Sequence, residues 1–264
     1  MPIKTIRADS LGDAFEKTIK FLSAWTRDGD PSCWFRGVKD KSLDLRPGAY
    51  WRKNYDEVGP LVMFAQEGVA FAEIEKMNCW KTYYLAQHSQ IPTRLLDWTD
   101  SFSAALFFAL DGWKGETIPC IWIMQPNLLN QRFLGWDGVL APEGFKETDI
   151  WLPNQIAQGK AKLRDDGGYI YDNSWPLAIY PKKNNQRISA QRGNFTVHGT
   201  QKEPLDVLFA KKGGKSERVF ARLELHLKDS GRAIQNLRLL GVRRSSIYPD
   251  MTSFVSDIQE EYKW

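Results

Sequence analysis

Cysteine is scarce in this sequence, and its three copies, Cys33, Cys79 and Cys120, lie far apart. Because no CxxC pair occurs, neither a zinc knuckle nor a disulfide framework is predicted, and free thiols in a reducing compartment are expected. The N-terminal MPIKTIRADS has no apolar segment typical of a signal peptide. The longest apolar run, residues 104–110, is much shorter than the ~20 residues that span a bilayer. These absences favour a cytoplasmic protein without a membrane partner.

The common catalytic motifs are absent as well. The tripeptide GKS at residues 214–216 is similar to the end of a phosphate-binding loop, but the glycine required five positions earlier is Phe209. No G-x-S-x-G or H-E-x-x-H motif occurs, and no G-x-G-x-x-G follows a predicted strand. His88, His198 and His226 lack the spacing of metal ligands, so no metal site is predicted.

The composition is that of a globular protein with a mild positive charge. The 264 residues are 42% hydrophobic and 26% charged, with a net charge of +4. Basic residues cluster at 182–183, 211–212 and 243–244. These clusters are either solvated loops or a patch for phosphate or nucleic acid. Eleven tryptophans are present, and some of them are candidates for the flat walls of a ligand site.

Apolar spacing and capping residues predict an α+β fold with a mixed or antiparallel sheet flanked by helices, as one domain over residues 1–264. Helices are predicted at residues 9–27, 101–112, 128–133 and 229–240, residues 57–87 are predicted to be mostly helical in two pieces, and a closing helix begins at Asp250. The buried side chains predicted for residues 57–87 are Phe64, Phe71, Ile74, Met77 and Leu85.

Extended segments are predicted at residues 32–38, 119–124, 177–180, 187–197, 217–227 and 245–249. The 217–227 segment alternates apolar and polar residues, which is typical of a half-exposed strand. Residues 135–173 are rich in Gly, Pro, Asp and Trp, and they are interpreted as an insertion or a lid.

The stretch QHSQIPTRLLDWT, residues 87–99, joins two apolar helices through a loop that contains Pro92. Polar groups between such helices must be paired, since each unpaired one costs about 1–3 kcal/mol. One interpretation is that Arg94 and Asp97 form an ion pair that holds the loop. His88 is either a capped residue at a helix end or a proton carrier near neutral pH.

Arg36 lies in the middle of a predicted apolar strand, where a cation needs a partner. An anionic ligand is one candidate, because a guanidinium matches phosphate with two parallel hydrogen bonds. An internal bridge, for instance to Asp97, is the alternative. Gly37, the next residue, would let a ligand approach the backbone closely.

Several motifs together resemble one family. They are Trp34-Phe35-Arg36-Gly37, Gln87-His88, the run IPTRLLDWT at 91–99, the segment QRGNFTVHG at 191–199, and SIYPD at 246–250. In this order they are similar to the FRG domain family, named for its Phe-Arg-Gly motif, over nearly the whole chain. In the last segment Tyr248 stands where the family has Phe. The resemblance implies a bacterial or phage protein, in some members encoded near defence or toxin–antitoxin genes.

An Arg-Gly strand of this kind is also similar to the first strand of ADP-ribosyltransferases. That likeness implies a split sheet and NAD as the co-substrate, without a metal. Arg36 would then grip the pyrophosphate, His88 would contact ribose or act as a base, and Gln191 and Phe195 would border the nicotinamide. The full set of implied NAD-binding residues is Arg36, Gly37, Gln87, His88, Arg94, Gln191 and Phe195.

The carboxylate that such a transfer needs is not evident, because no Glu-x-Glu or Gln-x-Glu follows in the expected place. Glu224 and Asp250 are the best acidic substitutes, so the implied catalytic set is Arg36, His88, Glu224 and Asp250. The alternatives are that Glu224 faces solvent on a strand and that Asp250 caps a helix.

Three functions stay open at this point. The first is an NAD-dependent ADP-ribosyltransferase that acts as a toxin or anti-phage effector on a protein, RNA or DNA target, with an antitoxin as partner. The second is a non-catalytic module in which Arg36, His88, Arg94 and Asp97 form a pocket for a ligand or partner. The third is a metal-independent enzyme that processes nucleic acid with His88 and Arg36.

Overall fold

The computed structural model describes residues 3–25, 33–159, 162–164, 168–183 and 185–262. Its strands are β1 (Lys4–Ala8), β2 (Trp34–Val38), β3 (Leu95–Thr99), β4 (Cys120–Met124), β5 (Lys162–Arg164), β6 (Ile170–Asp172), β7 (Leu177–Ile179), β8 (Gly193–Val197) and β9 (Phe220–Leu225). Seven of them form one sheet in the order β1-β9-β4-β2-β3-β8-β7, and β5 pairs with β6 separately.

The helices surround this sheet. They are α1 (Leu11–Trp25), α2 (Gly48–Trp51), α3 (Val58–Glu67), α4 (Cys79–His88), α5 (Phe102–Leu110), α6 (Pro126–Leu134), α7 (Pro153–Ala157), α8 (Gln186–Ala190), α9 (Leu205–Lys211), α10 (Ser230–Leu239), α11 (Arg244–Ile247) and α12 (Met251–Tyr262). Short 3-10 turns lie at Gly68–Ala70, Ile74–Lys76, Pro142–Gly144, Lys146–Trp151 and Ser216–Arg218. The predicted α+β class, a mixed sheet flanked by helices, is confirmed.

The sheet divides between β2 and β3. These strands share a single residue pair, Phe35 opposite Thr99, whereas β2 with β4 and β3 with β8 each pair over five positions. The strands β1, β9, β4 and β2 therefore form one half of the sheet, and β3, β8 and β7 form the other. Only β1 and β9 run parallel, and every other neighbouring pair in this sheet is antiparallel.

Two of the predicted core elements lie where their sequences indicate. The strand β4 has the sequence CIWIM, and all five of its residues are buried between β2 and β9. The apolar helix α5 follows Ser101, whose Oγ accepts a hydrogen bond from the Ala104 N–H and so caps the helix. This helix packs on β2 with α1 and α10 nearby, and together they form one apolar core.

Four predictions about elements were wrong in part. Residues 186–190 of the predicted strand 187–197 are helical, because the Asn185 side chain accepts from the Arg187 N–H and caps α8. Residues 244–247 also form a helix, since the Asp257 carboxylate accepts from the N–H groups of Arg244 and Ser245. The strand β9 is almost fully buried rather than half-exposed, because it lies between β1 and β4.

The fourth wrong prediction concerns the row of buried side chains expected within residues 57–87. Phe71 is 91% exposed, because the helix ends at Glu67 and a tight turn replaces the next helical turn. The predicted helix 9–27 is α1, which ends at Trp25, and residues 26–27 lie outside the described residues. The strand β1 before it was not predicted.

The segment 135–173, interpreted as an insertion or lid, packs through part of its length into the protein. Ile150, Trp151, Leu152 and Tyr171 are buried in a core cluster with Trp80 and other side chains. None of the described residues of this segment lines the cleft that is described below. Among the helices that the structure describes, none has both the length and the apolar character needed to cross a bilayer.

Gly37 shows how closely α5 approaches the sheet. A Cβ atom at this position would overlap the carbonyl oxygen of Ala105 and lie 2.8 Å from the Ala109 nitrogen. Packing of α5 against β2 therefore accounts for the glycine without a ligand.

Gly37→Ala is expected to lower the free energy of unfolding by about 1–3 kcal/mol, since a packed helix backbone must shift to make room. Denaturant unfolding of the purified variant measures this change. Gly144→Ala is the matched control, because a Cβ atom there meets nothing within 4 Å. Equal stability of the two variants would contradict the role assigned to Gly37.

Candidate functional site

A cleft of about 640 Å³ opens where the sheet divides. The strands β2 and β3 form its floor, and the loop that carries α2 forms one wall. The end of α4 with the loop that follows it, the end of α5, the helix α8 with the start of β8, and Tyr248 form the rest of the lining. Clefts of this size that combine apolar walls with a few convergent polar groups are the usual places for small ligands.

Arg36 lies on β2 at the floor of the cleft. Its Nη1 donates to the carbonyl oxygen of Asp97 at 2.8 Å and lies 3.7 Å from the carboxylate oxygen Oδ2. The internal bridge that the sequence left open is therefore present. Burial lowers the pKa of Arg36 and the Asp97 carboxylate raises it again, with a net decrease. Arg36 stays charged because its ordinary pKa is far above neutrality.

Asp97 lines the cleft, and a hydrogen bond holds its carboxylate in place. The amide Nε2 of Gln87 donates to Asp97 Oδ2 at 3.0 Å, and the Thr93 hydroxyl donates to Gln87 Oε1 at 2.5 Å. More than half of the Asp97 side chain is nevertheless exposed. A fixed but accessible carboxylate can stabilise a positive charge that develops beside it.

The predicted ion pair between Arg94 and Asp97 is wrong. Arg94 is 2% exposed, and its Nε donates to Glu57 Oε2 at 2.6 Å. Its two Nη atoms donate at 2.5 Å to the carbonyl oxygens of Trp151 and His198. Arg94 directly precedes β3 and Asp97 lies within it. Three residues of extended chain span roughly 10 Å, so the two side chains do not meet as they would in a helical turn. Arg94 does not line the cleft.

His88 is the last residue of α4, and it lines the cleft together with Gln87. Burial lowers the pKa of His88, and the nearby charge of Arg187 lowers it further. The imidazole is therefore mostly neutral at pH 7 and can accept a proton.

Gln191 and Phe195 lie on the other side of the cleft. Phe195 is buried, and one face of its ring stacks on Tyr84 with centroids 5.3 Å apart. The Gln191 carbonyl oxygen accepts from the Thr99 hydroxyl at 2.6 Å. Its buried amide Nε2 has no hydrogen-bond partner among the described residues, which leaves a donor available to a ligand.

Glu224 and Asp250, the two acids implied by the resemblance, lie outside the cleft. Glu224 does not face solvent, because it is buried and within 3.1 Å of Lys41, Arg222 and His226. Burial alone would raise the pKa of Glu224, but hydrogen bonds from Lys41 and His226 lower it overall. Asp250 caps α12 by accepting from the Ser253 N–H at 2.7 Å, which lowers its pKa.

Arg187 is a cleft residue that no sequence motif indicated. Its guanidinium lies over the ring of Tyr248, 4.6 Å from the centroid, and both residues line the cleft. Among the described residues Arg187 forms no ion pair within 4.0 Å, although its charge helps to lower the pKa of Asp250. The position of Arg187 in the cleft was not predicted, because residue 187 was interpreted as the start of a strand.

The cleft carries an excess of positive charge. Five basic residues line it, namely Arg36, Lys39, Arg46, Arg52 and Arg187, against the two carboxylates of Asp97 and Asp111. Asp111 is already bound by Arg244 at 2.9 Å, Arg46 is bound by Asp44, and Arg36 lies beside Asp97. The excess therefore comes from Lys39, Arg52 and Arg187. Such an excess in a concave, partly dry site attracts an anion.

The three basic clusters are paired with acids at several positions. Ion pairs join Lys183 to Asp100, Lys211 to Glu203, Arg243 to Glu261 and Arg244 to Asp111. This pairing favours the interpretation as solvated surface over that of a nucleic-acid patch. Within the described residues, no group of three or more His, Cys, Asp or Glu side chains is arranged to hold a metal ion.

Comparison with known proteins adds one finding. No curated protein and no solved structure matches the chain. The family model of the FRG domain matches residues 31–116, which include β2, Arg36 and the whole 87–99 stretch. The segments 191–199 and 246–250 lie outside the match, so their resemblance to the family stays a prediction. Residues 31–116 are therefore similar to the FRG domain, and the Phe35-Arg36-Gly37 motif within them lies on the floor of the cleft.

Proposed function

We propose that the cleft binds NAD and that the protein transfers ADP-ribose from it to a protein or nucleic-acid target. The observation that carries the proposal is the cationic cleft at the division of the sheet, where five basic side chains face two carboxylates. A dinucleotide fits this arrangement because its pyrophosphate is anionic and its rings are flat. The apolar walls and the buried donor of Gln191 suit the rings and the amide of such a ligand.

The pyrophosphate is assigned to Arg187, with Arg36 as the second cation. Arg187 forms no ion pair within 4.0 Å among the described residues, and its guanidinium is oriented by the ring of Tyr248, so little conformational order has to be imposed when an anion binds. Arg36 already donates one hydrogen bond to the backbone of β3, and its buried Nε still lacks a partner among the described residues. Guanidinium groups bind phosphate oxygens with short, charge-assisted hydrogen bonds.

The proposed reaction breaks the bond between C1′ of the ribose and the nicotinamide nitrogen. Nicotinamide leaves with the electron pair of this bond, so positive charge develops on the ribose, and Asp97 stabilises this charge. A nucleophilic group of the target then forms the new bond to C1′. Its proton passes to neutral His88, which acts as the general base. The roles expected of Glu224 and Asp250 fall to Asp97 in this proposal, because Asp97 lines the cleft.

Arg187→Gln is expected to weaken NAD binding about 30-fold, since loss of a charge-assisted contact costs about 2 kcal/mol. Isothermal titration calorimetry measures the dissociation constant. Arg192→Gln is the matched control, because Arg192 lies nearby but is exposed, pairs with Asp100, and does not line the cleft. Binding that is equally strong in both variants, or absent in the unmodified protein, would overturn the proposal.

A binding module is the second candidate, because Gln87 and Arg36 both engage Asp97, which makes the polar part of the cleft rigid. Release of nicotinamide and transfer of label from NAD to lysate protein or RNA separate the two candidates. Saturable NAD binding without either product would favour the module. Degradation of RNA without NAD would instead indicate a nuclease.

The cellular role that goes with transfer is that of a toxin or anti-phage effector. Expression is then expected to arrest bacterial growth, and Asp97→Asn is expected to relieve the arrest.

A further inference from the structure

Trp51 is a large aromatic side chain that stands partly exposed at the wall of the cleft. It is the last residue of α2, and 46% of its surface remains accessible. Most other tryptophans that the structure describes are buried or half-buried. An exposed indole in the lining of a cleft offers a flat apolar surface on which a ligand can pack.

The indole is held rigidly. The guanidinium of Arg46 lies over the ring of Trp51, 4.5 Å from the centroid, and the indole Nε1 donates to the Arg46 carbonyl oxygen at 3.0 Å. Arg46 is itself fixed, because Asp44 binds its Nε through both carboxylate oxygens at 2.9 and 3.0 Å. Arg46 therefore packs on the ring, and nearly half of the Trp51 surface still remains accessible to a partner.

A cationic side chain lies beside Trp51 in the chain. Arg52 follows Trp51 directly, lines the same cleft, and forms no ion pair among the described residues. Its Nη1 donates to the Gly48 carbonyl oxygen at 2.9 Å, which orients the guanidinium. A flat apolar face next to an unpaired cation matches a purine ring attached to a ribose phosphate.

We infer that Trp51 is the stacking platform for the purine base of a nucleotide bound in the cleft, with Arg46 on the opposite face of the indole. This inference deepens the proposed function, since it assigns the adenine end of the dinucleotide to the α2 wall. The pyrophosphate then lies toward Arg187, and the nicotinamide end lies toward Gln191.

The test measures how tightly four ligands bind to the unmodified protein and to three variants. Dissociation constants of NAD, AMP, UMP and inorganic pyrophosphate are measured by calorimetry for the unmodified protein, Trp51→Ala, Trp51→Phe and Phe71→Ala. Phe71 is the control, because it is an exposed aromatic residue outside the cleft. Thermal unfolding confirms that each variant is folded.

We expect Trp51→Ala to weaken AMP and NAD about tenfold, since stacking of one base contributes about 1–3 kcal/mol. Pyrophosphate affinity should not change, Trp51→Phe should keep most of the affinity for AMP, and AMP should bind more tightly than UMP. An unchanged AMP affinity in Trp51→Ala, or an equal loss for pyrophosphate, would overturn the inference. Trp51-dependent AMP binding without NAD binding would support the base site and refute the proposed transfer. NAD binding that does not depend on Trp51 would refute the base site and leave the proposed transfer standing.

Discussion

Replacing Arg94 with Ala is expected to lower the free energy of unfolding by about 3–5 kcal/mol, because it leaves a buried carboxylate without its cation. Glu57 and Arg94 are both buried, with 2.6 Å between the bonded atoms. Glu57 would keep only the hydrogen bonds from the Arg94 backbone N–H and the Tyr83 hydroxyl. The carbonyl oxygens of Trp151 and His198 would lose their donors too.

Denaturant unfolding followed by far-UV circular dichroism measures the loss. Arg52→Ala is the control, since Arg52 is exposed, and its change should stay within about 0.5 kcal/mol. If Arg94→Ala is too unstable to purify, the double variant Glu57→Gln with Arg94→Gln removes both charges and should regain part of the loss. If Arg94→Ala is as stable as Arg52→Ala, the ion pair between Glu57 and Arg94 does not stabilise the fold.

Asp97→Asn is expected to reduce the rate of nicotinamide release at saturating NAD by about 100-fold. The amide keeps the size of the side chain and an oxygen that accepts from Gln87, but it removes the charge that stabilises the ribose cation. NAD affinity should change little, because Asp97 does not contact the pyrophosphate in the proposed arrangement. The effect therefore falls on the chemical step and not on binding.

Asp111→Asn is the matched control for this experiment. Asp111 also lines the cleft, but Arg244 binds it and neutralises its charge. Its replacement should leave the rate within about threefold of the unmodified protein, as expected for loss of an exposed pair. Equal rates for Asp97→Asn and the unmodified protein would remove Asp97 from the proposed reaction.

The sequence predicted the parts of the fold that depend on local pattern. The apolar runs of α5 and β4 and the cap Asp250 are recognisable without any long-range information. The FRG motif and the stretch 87–99 also identified two of the segments that meet at the cleft. The alternative partner of Arg36, Asp97, was predictable because both residues belong to these segments.

What the sequence did not predict depends on contacts between distant residues. Glu57 and Arg94 are 37 positions apart, and nothing in the local pattern of either one indicates the other. Arg187 enters the cleft because Asn185 starts a helix at that point, which moves the side chain away from the strand position assumed for it. Glu224 looked exposed from its alternating strand, because the pairing of β9 with both β1 and β4 cannot be read from one strand alone.

The single residue pair between β2 and β3 has a further consequence for recognition. Beyond Phe35 and Thr99, no other residue pair joins the two strands, so the main-chain groups along the rest of these facing edges lie outside the ladder. A sheet usually exposes such edges only at its outer rim, where another chain can join them. Here the open edges lie inside the sheet, and the Arg36 side chain already occupies one carbonyl, that of Asp97. A ligand in the cleft can therefore be held in part by main-chain donors and acceptors, and such contacts persist when the side chains around them are substituted.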